Sequence, residues 1–455
     1  MKKFIKKYWL DILILLLILG LSPFFFYKLG QSSLVSWDEA WYASIAKNMV
    51  KSGNFITLVW NGYSFFDHPV AGFWWMAISF KILGISNLAA RMPSAIFGIS
   101  TLLVTFFVGR KMFNRWVGFA SAVALSSAPW FLYRSRSGNL DIFLTFFFVL
   151  SIYLAVKSVE NKKFYIPLGI SLGLLFLTKT GIPFVIIPAL IAVYWGRKIN
   201  WKWVLGGISG FVALFGSWFV AQTLTDVSFI QRYIYIGTPG LKNKTSLIDN
   251  IKLMKDYVHS GIGKWFWLGC VGALGGLLTR KRSFIILFVF CLSFSIPFVF
   301  SNKGQIWHYV PMYPFMILLF FGFIDWLIKI LLKRKFLSIF LIMGISLYFS
   351  FYQLRLSWYQ FININAYISD EQILSLESSK FKEPLYIDGD FVPAAAFYSG
   401  KNIKKIEVGG ISKIFSNKNS FLLITTRDRL NGENIEDHSY KVIKEDRDRV
   451  LLLKN

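Results

Sequence analysis

The chain has 455 residues, of which 55% are hydrophobic and 18% aromatic, and its formal net charge is +26. A mean hydropathy of +0.52 excludes an ordinary soluble domain and indicates a polytopic membrane protein. The positive charge alone is also typical of nucleic-acid-binding proteins. Most cations, however, stand in short clusters between apolar segments, as in the cytoplasmic loops of membrane proteins, so we expect no nucleic-acid partner.

The first apolar segment, residues 9–26, is long enough to cross a bilayer and follows four lysines within residues 2–7. It predicts a retained span with a cytoplasmic N-terminus. Asp38 and Glu39 come soon after it, in the aromatic sequence SWDEAWYASIAKNM. Adjacent acids at this point have no packing use and cost free energy if they are buried unpaired. We therefore predict that the pair acts on something that arrives at the outer membrane surface.

Apolar segments along the rest of the chain predict eleven spans, near residues 9–28, 89–109, 116–133, 140–156, 164–178, 181–196, 203–223, 263–279, 283–300, 307–328 and 336–354. Cations concentrate in alternate connections, at residues 2–7, 110–115, 157–163, 197–202, 280–282 and 329–335. The other short turns hold only Arg134, Arg136, Lys179 and Lys303. This bias predicts a multi-pass protein of the plasma (inner) membrane with the second set of turns outside.

Two outer loops are long, at residues 29–88 and 224–262. The first contains FFDHPVAGFWWMAISFKILG, which predicts an amphipathic helix that lies in the membrane interface. Residues 356–455 alternate short apolar runs with polar turns and predict a small α/β domain on the outer side. The expected organisation is thus a transmembrane domain at 1–355 and a soluble extracytoplasmic domain at 356–455.

Polar residues gather at the predicted outer rim: Asp38, Glu39, Asp67, His68, Arg91, Arg134, Arg136, Asp141, Lys179, His259, Lys303 and His308. Carboxylates, imidazoles and cations together suit a reaction in which an anionic leaving group departs. Cations stabilise the anion and a carboxylate takes a proton from an incoming hydroxyl.

At this point the sequence resembles a known family. The stretches SWDEAWYASIAKNMVKSGNF, FFDHPVAGFWWMAISFKILGISNLAARMPSAIFG, RSRSGNLDIFLTFF, LGLLFLTKTGIPFVIIPAL and SNKGQIWHYVPMYPF are similar to polyprenol-phosphate-sugar glycosyltransferases of the GT-C superfold. Protein O-mannosyltransferases and lipid A aminoarabinose transferases are the groups it resembles most. The resemblance covers roughly residues 1–330. It implies a GT-C-like helical membrane fold, with interfacial helices in the first outer loop.

The resemblance also implies roles for three acids. The acid after the first span, here Asp38, is the catalytic or substrate-positioning carboxylate of the family, with Glu39 beside it. The acid before the fourth span corresponds to Asp141, which is a third candidate catalytic residue. From the residues alone, Glu39 could also be a helix N-terminal charge and Asp141 a helix N-cap.

The phosphate of the donor is expected to meet Arg136, Lys179 and Lys303, which correspond to cations of the family. Arg136 and Lys179 could instead extend to the interface as ordinary cationic anchors. The family usually has a lysine where this chain has His68, within Asp67-His68-Pro69-Val70, so His68 is a further candidate for the phosphate contact. A divalent metal is compatible with the Asp67 carboxylate.

These expectations describe an inverting glycosyltransferase. It would move a sugar from a polyprenyl-phosphate-linked donor to a protein, lipid or glycan acceptor at the outer face, with Asp38 as the base. A transporter or flippase of a lipid-linked anionic sugar would need ionisable residues at mid-membrane depth, where the spans have almost none. A ligase that uses a lipid-diphosphate donor shares the architecture and stays open.

Overall fold

The computed structural model describes residues 2–237, 246–301, 304–333, 335–389, 391–407, 409–416, 419–433, 435 and 439–454. The chain divides into two compact units. The first consists of Met1–Tyr27, Phe66–Gly72 and Ser94–Ile364, and the second of Lys28–Phe65, Phe73–Pro93 and Asn365–Asn455. The predicted boundary between residues 355 and 356 stays a prediction.

Helices dominate residues 2–357. They are α1 (Lys2–Leu19), α2 (Pro23–Phe26), α3 (Asp38–Ser52), α4 (Ala71–Leu83), α5 (Asn87–Met112), α6 (Arg115–Ser126), α7 (Pro129–Ser135), α8 (Asp141–Glu160), α9 (Tyr165–Phe176), α10 (Ile187–Tyr194), α11 (Trp201–Phe211), α12 (Ser217–Thr225), α13 (Phe229–Gly237), α14 (Leu247–Ile262), α15 (Trp265–Leu278), α16 (Arg282–Val299), α17 (Tyr313–Leu331) and α18 (Lys335–Ser357). A short hairpin, β1 (Val59–Trp60) with β2 (Tyr63–Ser64), lies between α3 and α4.

Within the described residues, seven helical segments are long and apolar enough to cross a membrane. They are Tyr8–Phe26, Asn87–Met112, Asp141–Glu160, Trp201–Thr225, Arg282–Val299, Ile306–Leu331 and Phe336–Ile362. An eighth results if α14 and α15, between which the chain bends by 114°, form one broken span. Each of the seven coincides with a predicted span. Of the bent pair, α15 coincides with the predicted span at 263–279, whereas α14 lies within the predicted outer loop at 224–262. The predicted helical membrane fold is confirmed.

The other three predicted spans contain shorter helices. In the 116–133 segment, α6 ends at Ser126 and α7 starts at Pro129, with an extended Ala128 between them. The 164–178 segment holds the 12-residue α9. The 181–196 segment begins at Gly181, whose φ of 75° favours glycine, and a 3₁₀ turn precedes the eight-residue α10. Proline and glycine interrupt these apolar runs, so hydropathy alone overestimates helix length.

The first predicted outer loop contains two helices, α3 and α4, in agreement with the expectation of more than one helix in this loop. The Asp38-Glu39 segment forms α3, which ends at Gly53 in the left-handed conformation. The predicted aromatic helix is α4, and its 13 residues are too few to cross a bilayer. Its location in the membrane interface stays a prediction.

The predicted C-terminal α/β fold is confirmed. Its elements are α19 (Asp370–Ser378), β3 (Leu385–Asp388), α20 (Val392–Ser399), β4 (Ile403–Ile406), α21 (Ile411–Phe415), β5 (Phe421–Thr426), α22 (Arg427–Gly432), β6 (Tyr440–Asp446) and β7 (Arg449–Lys454). The strand order is β4-β3-β5-β7-β6; β3 is parallel to β4 and β5, and the remaining pairs are antiparallel. Its core includes Leu385, Ile387 and Leu422, all fully buried.

Candidate functional site

In the first unit, a buried carboxylate joins two cations. Asp141, the first residue of α8, has a side chain that is only 2% exposed. Its Oδ2 accepts hydrogen bonds from Arg134 Nη2 at 2.5 Å and Nε at 3.0 Å, and its Oδ1 accepts from Lys179 Nζ at 2.9 Å. We call these three residues the Asp141 cluster.

The structure at the start of α8 leaves the Asp141 carboxylate available for ion pairs with Arg134 and Lys179. The side-chain oxygen of Asn139 accepts from the N–H groups of Asp141 at 2.9 Å and Ile142 at 3.3 Å. Asn139 therefore satisfies the exposed amides at the helix start, which is the usual function of a capping side chain. The Asp141 side chain pairs with cations instead.

The Asp141 cluster carries one more positive charge than negative. The Arg134 and Lys179 side chains are 7% and 16% exposed, so water screens the charges weakly. The Arg134 guanidinium also lies over the Trp307 ring, 5.4 Å from its centroid. Buried cations are costly unless they are paired, and an excess of them is suited to hold an anion.

Asp67 and His68 lie near the same cluster. The Asp67 carbonyl accepts a hydrogen bond from the Thr180 hydroxyl at 3.1 Å, which ties this segment to the residue that follows Lys179. Burial, together with the nearby positive charge of Lys179, lowers the pKa of His68 to about 3. His68 is therefore neutral near pH 7 and can offer a hydrogen bond but no charge. Burial raises the pKa of Asp67.

His308 lies close enough to act electrostatically on Asp141. Its Nδ1 accepts from the Gln305 N–H at 3.2 Å, and its ring stacks on Phe298. The sequence predicts only that His308 lies at the polar outer rim, and the structure places it near the Asp141 cluster.

Arg136 points to a different set of partners from Arg134. Its Nε, Nη1 and Nη2 donate to the carbonyls of Phe361 at 3.1 Å, Phe24 at 2.9 Å and Tyr27 at 2.7 Å. It thereby fastens the end of α2 and the turn after α18 to the end of α7. The predicted phosphate contact of Arg136 stays a prediction. Of the two arginines, the one that the structure places on Asp141 is Arg134.

In the second unit, Glu39 is a buried ion-pair partner. Its two carboxylate oxygens accept from Arg91 Nε at 2.9 Å and Nη2 at 2.8 Å, and Oε2 also accepts from the Val35 N–H at 3.0 Å. Arg91 further donates to three backbone carbonyls between Leu29 and Ser33. Glu39 thus holds the loop that leads into α3, and its predicted catalytic role stays untested.

Asp38 is the first residue of α3 and is partly exposed. A carboxylate in the first turn is complementary to the helix dipole. The acid pair thus divides: Asp38 stays accessible, whereas only 3% of Glu39 is exposed. This division fits Asp38 better than Glu39 as the acid that meets a substrate.

Two further predictions concern Lys303 and a metal ion. Lys303 lies outside the described residues. Among the residues that the structure describes, no group of three or more His, Cys, Asp or Glu side chains is arranged to hold a metal ion. Asp67 therefore has no partner set that fits a metal within those ranges, and its role as a ligand stays a prediction.

The sequence alone assigns no role to Arg134 or to Arg91. The signal for Arg134 was weak, because Arg134 and Arg136 stand two residues apart before the same helix. Only the turn between α7 and α8 decides which of them meets Asp141. Arg91 and its partner Glu39 are 52 residues apart, and no spacing rule connects them.

Comparison with known proteins supports the resemblance. Residues 67–219 match the family described as dolichyl-phosphate-mannose-protein mannosyltransferase. An uncharacterized protein of Aquifex aeolicus is 30% identical over 230 residues, covering 48% of this chain and 46% of that protein. A second relative is the undecaprenyl phosphate-alpha-4-amino-4-deoxy-L-arabinose arabinosyl transferase 2 of Proteus mirabilis. It is 28% identical over 320 residues, which cover 64% of this chain and 55% of the Proteus mirabilis protein. The chain thus spans about half the length of these relatives.

A solved structure resembles the whole chain. The crystal structure of ArnT from Cupriavidus metallidurans bound to undecaprenyl phosphate superposes with a TM-score of 0.74 and 15% sequence identity, covering 98% of both chains. At this identity the match shows the fold. The chain has the GT-C membrane fold and is similar to polyprenol-phosphate-sugar glycosyltransferases.

Proposed function

We propose that this protein is an integral membrane glycosyltransferase that moves a sugar from a polyprenyl-phosphate-linked donor to an acceptor at the membrane surface. The observation that carries the proposal is the Asp141 cluster, two cations that share one buried carboxylate. The match to a mannosyltransferase family over residues 67–219 and the similarity to the Proteus mirabilis transferase give the same reaction class.

The Asp141 cluster would hold the phosphate of the donor. Without ligand, Asp141 neutralises one of the two positive charges and fixes both side chains in place. A phosphate that arrives would take charge-assisted hydrogen bonds from Arg134 and Lys179. As the sugar leaves, the phosphate gains charge, and the same two cations stabilise it. His68, which is neutral near pH 7, would contribute a hydrogen bond only.

Asp38 would accept the proton of the acceptor hydroxyl as it attacks the anomeric carbon. This proposal rests on the position of Asp38 at the start of α3 and on its partial exposure. The reaction would invert the anomeric configuration, through an oxocarbenium-like transition state. We further propose that the protein resides in the plasma (inner) membrane with its N-terminus in the cytoplasm and residues 356–455 outside, as the charge distribution favours.

The experiment is transfer by the purified protein in proteoliposomes. A polyprenyl-phosphate donor with a radiolabelled sugar would be supplied with lipid, glycan and protein acceptors in separate reactions. The proposal predicts acceptor-dependent release of polyprenyl phosphate, with the label recovered on the acceptor. Movement of intact donor between leaflets, with no release of polyprenyl phosphate, would instead support the transporter.

A further inference from the structure

A cavity of about 410 Å³ lies in the first unit, away from the residues assigned above. It is formed where three spans end: the C-terminal end of α5, the N-terminal end of α16 and the C-terminal end of α17. Its lining includes Ser283, Trp326 and two lysines, Lys281 and Lys329. We call it the lysine pocket. Its volume is within the range of about 300–1,000 Å³ that is usual for small-ligand sites.

One wall of the lysine pocket is a satisfied polar network around Asp325. The Asp325 side chain is 10% exposed, and its Oδ2 accepts from Lys329 Nζ at 2.5 Å and from Asn114 Nδ2 at 2.9 Å. Its Oδ1 accepts from the Ser338 hydroxyl at 2.7 Å. The carboxylate oxygens are thus occupied by donors from three elements, which fixes Lys329 at the rim and offsets its charge.

Lys281 supplies charge that this network does not offset. It is exposed, and it forms no ion pair with any residue that the structure describes. The two lysines and Asp325 leave the lining with one net positive charge. A phosphate group is the anion that lysine ammonium groups commonly bind at such a site.

The apolar surroundings indicate that this phosphate is part of a lipid headgroup. Trp326 lines the pocket beside the charged rim, and aromatic rings of this kind are enriched at the level of lipid headgroups. Ile330 and Leu331, at the end of α17, are 51% and 67% exposed. Such exposed apolar side chains next to a basic cavity suit acyl chains beside a headgroup.

We propose that the lysine pocket binds the phosphate of an anionic phospholipid headgroup. The site is separate from the proposed donor site. In the predicted topology α5, α8 and α17 cross the membrane in the same direction. Asp141 begins α8, whereas the lysine pocket forms where α5 and α17 terminate, so the two sites lie at opposite ends of the spans. The charge distribution predicts that these pocket-forming ends face the cytoplasm, where anionic lipids attract basic segments.

The test is lipid-dependent thermal unfolding of the purified full-length protein in a neutral detergent. Phosphatidylglycerol, phosphatidylcholine and inorganic phosphate would be titrated separately. Lys281→Gln is the informative variant because Lys281 is exposed and outside the Asp325 network. Lys198→Gln is the matched control, since Lys198 is an exposed cation that does not line the pocket.

We expect phosphatidylglycerol to raise the Tm in a saturable way, and Lys281→Gln to raise the half-saturating concentration about fivefold, with Lys198→Gln like the parent protein. A Lys281-dependent rise with inorganic phosphate alone would assign the same pocket to a soluble phosphoryl compound. Equal effects of both substitutions, or equal half-saturation with phosphatidylcholine, would overturn the proposal. Glycosyl transfer is not measured, so either result leaves the proposed function to its own test.

Discussion

Replacement of Asp141 by asparagine separates the contribution of the Asp141 cluster to stability from its proposed contribution to phosphate binding. Asp141→Asn removes the negative charge between Arg134 and Lys179, whose side chains are 7% and 16% exposed. Loss of one partner from a buried ion pair typically costs about 3–5 kcal/mol, because the remaining charge is left uncompensated. We expect the free energy of unfolding to fall by that amount, seen as a lower Tm in detergent.

The same substitution should strengthen phosphate binding. In the parent protein, a phosphate competes with Asp141 for the donors of Arg134 and Lys179. A hydrogen bond to a charged group contributes about 1.5–3 kcal/mol, so the affinity for undecaprenyl phosphate should rise roughly tenfold or more. Glycosyl transfer need not rise with it, because Asp141 also positions both cations.

The assay is titration of undecaprenyl phosphate into purified protein, with Tm measured in parallel. Asp388→Asn is the matched control: the Asp388 side chain is 2% exposed and pairs with Arg429 in the C-terminal sheet. It should lower stability and leave the affinity unchanged. Unchanged or weaker binding in Asp141→Asn would refute the cluster as the phosphate site.

Four further predictions use other residues. Arg136→Gln should lower the Tm more than it lowers phosphate affinity, because three backbone carbonyls lose a charged donor; a selective loss of affinity in the same titration would instead support the predicted phosphate contact. Asp38→Asn should reduce transfer about 10²–10⁴-fold with donor binding retained, and full activity would exclude Asp38 as the base. The pKa of His68 is lowered to about 3 in the folded protein, so the unfolded chain takes up this proton at a higher pH than the folded protein does. The free energy of unfolding therefore falls as pH drops from about 6.5 towards 3. His68→Asn should make the Tm depend less on pH across that window, and an unchanged slope would contradict a buried neutral imidazole. Cysteines at Ser246 and Ser416 should react with an impermeant reagent in intact cells and one at Asn161 should not, whereas the reverse pattern would overturn the topology.

The sequence was sufficient for the spans whose apolar runs are unbroken. It overestimated three others, because mean hydropathy does not register the break at Ala128-Pro129 or the turn at Gly181. The C-terminal sheet could be predicted as α/β from its alternating runs, but its strand order depends on contacts that the pattern does not contain.

The sequence predicts on which side of the membrane the candidate site residues lie, but it does not predict which of them pair with one another. Charge bias placed Asp141 and Lys179 at one rim, and the structure joins them across 38 residues. Which of Arg134 and Arg136 pairs with Asp141 depends on the conformation of the turn before α8. Glu39 illustrates the same limit: an acid next to Asp38 looked catalytic, but its distant partner Arg91 gives it a clear structural contact.

The proposed function requires the donor phosphate to bind Arg134 and Lys179. The most direct measurement is an experimental structure of this protein with bound undecaprenyl phosphate. We expect phosphate density within hydrogen-bonding distance of the Arg134 guanidinium and Lys179 Nζ. Phosphate density elsewhere, with Arg134 and Lys179 still paired only to Asp141, would contradict it.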